Sequence, residues 1–262
     1  MKQKRKRSSV FTLLCSILLI GAAFPSLCAF TPHYKIINDI ETALSEESAV
    51  LLESPDQGMK YIDSMIFFGE STTTHLRSRG VLSGGSKTQQ VWADNSGTKT
   101  LSSKLLSESV IYPPTGESLT IAQALKKEQP EYMVLSFGLN NILHFVRNPD
   151  LYKSNYHKLI ERIRKESANT KIILQSIYPV AATCDAFSVD GKTVCAYIET
   201  LNNCLKEIAA SHENVRFADT ASVLKAADGT LLPTYDSGDG IHLTGDAYLQ
   251  ILLYLRTHAW QE

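Results

Sequence analysis

Net charge is nearly absent from this sequence: 26 Lys and Arg against 27 Asp and Glu in 262 residues leave a formal charge of -1. A protein built mainly to neutralise nucleic-acid phosphates needs a basic surplus, so that class is excluded. Cysteine is also scarce. The five cysteines (Cys15, Cys28, Cys184, Cys195 and Cys204) include no Cys-x-x-Cys pair and no Cys/His spacing of a zinc site. No internal repeat and no low-complexity tract occurs. With 44% hydrophobic and 20% charged residues the composition is that of an ordinary globular protein. The length suits one large domain or two small ones, and either can bury a sizeable core.

The charge that exists is unevenly placed. Lys2, Lys4, Arg5, Lys6 and Arg7 open the chain, and none of the acidic residues falls within residues 1–29, so the remainder is net acidic. An apolar run from Val10 to Phe24 follows the basic start, and Pro25 then breaks it ahead of the small residues Ser26, Cys28 and Ala29. The run is short for a membrane span, which needs about 20 apolar residues. Basic start, apolar run and small-residue end predict a signal peptide over residues 1–29, cut near Cys28 or Ala29. An uncleaved anchor is the other reading. Leu27 before Cys28 fits a lipoprotein poorly. Either way the body is expected outside the cell or in its envelope, with no stable membrane insertion once the signal is cut.

Export permits disulfides. Cys184 and Cys195 bracket a loop whose Asp190-Gly191 reads as a hairpin turn, and a bridge across it is chemically allowed. Cys204 shares a helical face with Ile198, Leu201, Leu205 and Ile208, which predicts a buried thiol.

Residues 30–60 read as a polar, weakly helical lead-in. From residue 61 to 262 strands and helices alternate. Strands are expected at Met65–Phe68, weakly at Gln90–Ala93, at Tyr132–Ser136, Lys171–Ile177 and Asn214–Phe217. A capping box at Thr120–Gln123 opens a helix that stops before Pro130. Tyr152, Tyr156, Leu159, Ile160 and Ile163 mark one face of a second helix, and Ala247, Tyr248, Ile251, Leu252 and Leu255 mark the last. Val110–Gly116 reads as a loop. Such alternation predicts a parallel sheet covered on both faces, with its site beyond the carboxyl ends of the strands.

Three polar clusters follow those strands. Ser71, after Gly69-Glu70, sits where a helix begins and backbone N–H groups are free to hold an oxyanion; it reads equally as a helix N-cap. Asn140, in Gly138-Leu139-Asn140-Asn141, offers a side-chain N–H; it reads equally as an Asx-turn. Asp239 and His242, three apart around Gly240, can place a carboxylate on one imidazole nitrogen; a polar loop ahead of the final helix, capped by Thr244, is the plainer account.

Taken in order, these clusters resemble the SGNH (GDSL) hydrolase superfamily. The resemblance covers roughly residues 61–258 and implies a three-layer α/β/α, flavodoxin-like fold with a parallel sheet. It implies that Ser71 is the nucleophile, His242 the base, Asp239 its orienting partner, and Asn140 an oxyanion donor. The remaining oxyanion glycine is assigned to Gly97, with Gly84 and Gly85 nearby. Two residues depart from the family pattern: Glu70 stands for its usual Asp, and Asn141 for the Asp closing its block. No Gly-x-Ser-x-Gly elbow is present, which sets aside an ordinary α/β-hydrolase.

The resemblance implies a secreted serine esterase acting by acyl transfer, with no metal or organic cofactor. Its expected partner is a small-molecule or glycan ester, such as O-acetyl groups on envelope or environmental carbohydrate, and not nucleic acid. Trp92, Tyr112 and Phe145 read either as sugar-stacking rings or as core. Three alternatives share the sequence: an exported O-acyltransferase with the same residues, a non-catalytic glycan-binding protein, and a metal-dependent phosphoesterase built on Glu70, Asp236, Asp239 and His242.

Overall fold

The computed structural model describes residues 48–93 and 99–261. The expected signal peptide and Gly97 lie outside these residues. All described residues belong to one unit, Ser45–Glu262. No helix among them is long and apolar enough to cross a membrane.

Five parallel strands form the sheet: β1 (Met65–Gly69), β2 (Val91–Trp92), β5 (Tyr132–Ser136), β6 (Lys171–Gln175) and β7 (Val215–Ala218). Their order is β2-β1-β5-β6-β7, with Gly69 level with Ser136 across the β1–β5 pair. A separate antiparallel hairpin, β3 (Ser109–Tyr112) and β4 (Glu117–Thr120), interrupts the alternation. Skipping that hairpin, the strands run in flavodoxin order, and the chain reverses direction across the sheet at β1. The loops after β1 and β5 therefore lie side by side at the switch point.

The helices are α1 (Gly58–Asp63), α2 (Ser71–Ser78), α3 (Ile121–Glu128), α4 (Ile142–Phe145), α5 (Pro149–Glu166), α6 (Gly191–Ala210) and α7 (Gly245–Thr257). The strands are apolar on both faces because both are covered. Ile66, Phe68, Met133, Leu135, Ile172 and Leu174 pack with α3, α5 and α6. Their alternate neighbours Met65, Phe67, Val134 and Ile173 pack with α1, α2 and α7. Each such fully buried side chain stabilises the fold by about 1.5–3 kcal/mol relative to exposure. Thr120 and Gln123 form the expected capping box of α3, whose end at Gln129 turns into the left-handed region.

Two expectations change and two open readings are resolved. Residues 110–116 are not a loop: Ser109–Tyr112 pairs with Glu117–Thr120 around a tight turn. Asp190-Gly191 is not a hairpin turn. Asp190 accepts the Thr193 N–H as the N-cap of α6, so that helix starts seven residues before Ile198. Cys195 thus lies in the second turn of α6 and its thiol donates to the Val180 carbonyl, while Cys184 sits apart; both are free and buried, as is Cys204. Trp92, Tyr112 and Phe145 are all core, at 1%, 4% and 2% exposure, and present no ring to a sugar. Residues 49–51, placed in the lead-in, run beside β7, where Phe217 exchanges backbone hydrogen bonds with Ala49 and Leu51.

Candidate active site

Gly69 ends β1 where no side chain fits: a Cβ there would lie 2.2 Å from Thr73 Oγ1 and 2.4 Å from the Ser136 carbonyl. That close approach lets the chain turn directly into α2. Glu70 occupies the N-cap position and Ser71 is the first helical residue, so Ser71 is not the cap, and no side chain caps this helix. At the far end of the same turn, Tyr248 of α7 donates to the Thr72 carbonyl at 2.6 Å. This bond ties the start of α2 to the opposite end of the chain.

The loop before α7 is held by its own carboxylates. Asp236 Oδ1 accepts the N–H groups of Gly238 and Gly240, both at 2.9 Å. Asp239 Oδ1 accepts those of Ile241 and His242, at 3.0 and 2.8 Å. Only Asp239 Oδ2 then faces the His242 ring, 2.6 Å from Nδ1. A carboxylate accepts and does not donate, so Nδ1 carries the proton and Nε2 keeps its lone pair. Nε2 lies 3.0 Å from Ser71 Oγ, 171 residues away in sequence. Burial of Asp239 works against its charge. The His242 ring and the two backbone N–H groups outweigh it and hold the carboxyl at about 2. Because the folded value lies below the ordinary 3.8, this contribution to stability is present above that pH and fades as pH falls towards about 2.

Asn140 lies on the adjacent loop after β5. One of its side-chain N–H groups donates to the Lys99 carbonyl at 3.2 Å, and an amide nitrogen carries a second. The loop is fixed from two sides. Tyr152 and Tyr156 of α5, read from sequence as an apolar face, both donate their hydroxyls to the Phe137 carbonyl, at 2.9 and 3.0 Å. Gly138 has φ +139°, and a Cβ there would meet Ile177 at 2.5 Å and the Tyr152 hydroxyl at 2.8 Å. Asn141 has φ 65°, and asparagine is among the few side chains that enter this left-handed region readily.

Glu70 supplies the other side of that support, and the sequence reading missed it. Its side chain is buried, with Oε1 accepting the Gly138 N–H and Oε2 the Asn140 N–H, both at 2.9 Å. The side chain thus spans from the serine turn to the asparagine loop. Burial pushes its carboxyl up to about 8, against the pull of the Asn140, Gly138 and Leu139 N–H groups. The folded value therefore exceeds the unfolded one of about 4.5, and the native state binds more protons between the two. Stability from this group is full below pH 4.5 and is lost as pH rises through about 8. Glu70→Gln should flatten that loss, and urea midpoints at pH 5 and pH 9 for both proteins check it. The amide nitrogen of Gln cannot accept, so one loop N–H is left unpaired at a cost of about 1–3 kcal/mol at pH 5. Equal pH dependence in parent and variant would contradict the assignment.

Ser71, Asn140, Asp239 and His242 thus sit on three loops at the carboxyl edge of the sheet. The expected fifth residue, Gly97, lies outside the described residues. Asp236 and Glu70, weighed as metal ligands, are committed to backbone N–H groups. Among the described residues no group of three or more His, Cys, Asp or Glu could hold a metal ion. A second histidine was also missed: the His75 ring, one turn along α2 from Ser71, packs on His242 with centroids 4.4 Å apart. The i, i+4 spacing from the serine was its only sequence signal.

No curated protein matches the chain in sequence. Among solved structures, one from Streptococcus pneumonia described as a platelet activating factor superimposes with a TM-score of 0.52 at 17% identity, over 87% of this chain and 98% of that one. The lipase Lip_vut3 from a goat rumen metagenome gives 0.49 at 16% identity, over 76% and 98%. A Clostridium thermocellum family 3 carbohydrate esterase gives 0.45 at 15%, over 74% and 93%. At 17% identity the likeness to the first of these is one of fold, and it agrees with the three-layer α/β/α arrangement. The GDSL-like Lipase/Acylhydrolase family matches residues 67–249, a span that takes in every loop of the site. With that match over most of its length, the chain belongs to the GDSL-like Lipase/Acylhydrolase family and is an ester-hydrolysing enzyme.

Proposed function

We propose that this chain is an exported serine esterase that removes small O-acyl groups, acetyl foremost, from cell-envelope or environmental carbohydrate. The observation that carries the reading is the relay from Ser71 through His242 to Asp239, at 3.0 and 2.6 Å. Ser71 Oγ attacks the ester carbonyl as His242 Nε2 takes its proton. The carbonyl electrons move onto oxygen, facing the Ser71 N–H at the head of α2 and the second Asn140 N–H. The tetrahedral adduct collapses, the C–O bond breaks, and His242 returns the proton to the departing alcohol. Water then attacks the acyl-serine with the same base, releasing the acid and free Ser71.

The exposure of the site supports an ester carried on a large molecule. The His242 side chain is 26% exposed and that of Asp239 52%, so the relay lies at the surface where a polymer-borne acyl group can reach it. The basic and apolar front end supports export.

The test is covalent. The protein from residue 30 onward, treated with a fluorophosphonate, should carry the adduct on the peptide containing Ser71. The same protein should release acetate from p-nitrophenyl acetate and from an acetylated glycan. Ser71→Ala should do neither. Acetyl appearing on an added sugar in place of free acetate would make the enzyme a transferase, and unlabelled, inactive but folded parent protein would refute the esterase reading.

A further inference from the structure

We propose that His75 is a positioning residue for the base: its neutral ring seats the His242 imidazole, and its protonated ring disables it. This rests on the reading of His242 as the proton acceptor. Helical spacing puts His75 above Ser71 on α2, and the two imidazoles meet at a 42° tilt with centroids 4.4 Å apart. Asp239 and Ser71 each hold one nitrogen of the His242 ring, but neither fixes rotation about the line joining them. The face of His75 supplies that third contact.

The surroundings of His75 make its charge state consequential. Its Nδ1 is buried and has no hydrogen-bond partner among the described residues. The neutral ring can leave a lone pair there. The protonated ring must place an N–H there, and a buried donor on a charged group with no acceptor is costly. The charged groups facing His75 are His242 and Asp239 from the loop before α7 and Arg79 from the end of its own helix. Burial first, then His242 and Arg79, push its proton affinity below the ordinary histidine range, and Asp239 opposes them. At neutral pH His75 is therefore an uncharged wall beside a ring that must become a cation in the transition state. In acid it becomes a second cation at close range, which weakens the base and repels the imidazolium.

The pH profile of kcat/KM on p-nitrophenyl acetate tests this. In the parent the acid limb should steepen below both titrations to about 100-fold per pH unit, because two protons inactivate the site. His75→Phe keeps a ring but cannot be charged, and its limb should stay at about tenfold per unit. His75→Leu removes the flat face, and should lower kcat on the neutral plateau by about tenfold with KM within twofold, as for lost orientation. Imidazole 15N spectra of the Ser71→Ala protein, with and without His75→Phe, read the same coupling without turnover. A parent limb of tenfold per unit, unchanged in both variants, would overturn the proposal, as would a His75 resonance that stays neutral throughout the acid limb. Those results leave the esterase reading intact, whereas turnover surviving in Ser71→Ala would remove the reading on which the proposal stands.

Discussion

Replacing either Ser71 or His242 with Ala should lower kcat on p-nitrophenyl acetate by about a millionfold, and replacing both should cost no more than either alone. A millionfold loss is about 8 kcal/mol of barrier, larger than any other single change in this protein should produce. The reason is that in the proposed mechanism the two side chains perform one step. His242 Nε2 lies 3.0 Å from Ser71 Oγ, and in that mechanism it takes the proton at the moment the oxygen attacks. Without the hydroxyl there is nothing to activate, and without the imidazole a hydroxyl of ordinary acidity faces the carbonyl alone. What survives comes from the oxyanion donors and substrate binding, which neither substitution touches. Asp239→Asn is a milder case of the same failure, because an amide nitrogen facing Nδ1 favours the wrong tautomer. The measurement is kcat for the two single variants and the double variant, with circular dichroism confirming a native fold. Losses that multiply in the double variant would mean that serine and histidine act in separate steps.

Asn140→Ala should lower kcat by about 100–1000-fold, or about 2.7–4 kcal/mol, with KM little changed. The split between the two constants follows from when the interaction forms. The oxygen carries full negative charge only in the tetrahedral adduct, so a donor aimed there stabilises the transition state more than the bound ester. Asn140 is well placed for this role. One N–H is anchored on the Lys99 carbonyl and its backbone N–H on Glu70, so little reorganisation remains when the charge appears. The substitution removes one hydrogen bond to the carbonyl of buried Lys99, about 0.5–1.5 kcal/mol, and no core side chain, so the folded state should persist. A loss confined to KM would show instead that Asn140 binds the substrate alcohol. A rise in KM together with a lower melting temperature would point to collapse of the loop.

Glu70 shows how a residue can be visible in the sequence while its role is not. Its position before Ser71 marked it as a departure from the Asp of the family pattern. The extra methylene reads from sequence only as a longer side chain beside a turn. In the fold β1 and β5 are neighbours with Gly69 level with Ser136, so the side chain meets the N–H groups of residues 138 and 140. That pairing is set by strand order, which no local pattern encodes. His75 was hidden for a similar reason. Its spacing from Ser71 is local, but its neighbour His242 arrives from the other end of the chain. The hairpin at residues 109–120 was missed because Pro113, Pro114 and Gly116 dominate a short stretch and read as a break between elements. Trp92, Tyr112 and Phe145 were ambiguous because an aromatic ring after a strand suits a sugar and a core equally, and only packing decides.

Local patterning sufficed for the alternation of apolar strands with amphipathic helices, the capping box at Thr120, the cap of the last helix at Thr244, and the three polar clusters that follow strands. Each is a matter of neighbours within a few residues, where backbone geometry and side-chain chemistry act directly. Only the packed fold brings Ser71 and His242 within a hydrogen bond, lets Glu70 brace the asparagine loop, and stands His75 against His242. These depend on the parallel sheet and its switch point. The hydrophobic burial of both sheet faces fixes which strands are adjacent, and so brings together side chains that the chain itself holds as many as 171 residues apart.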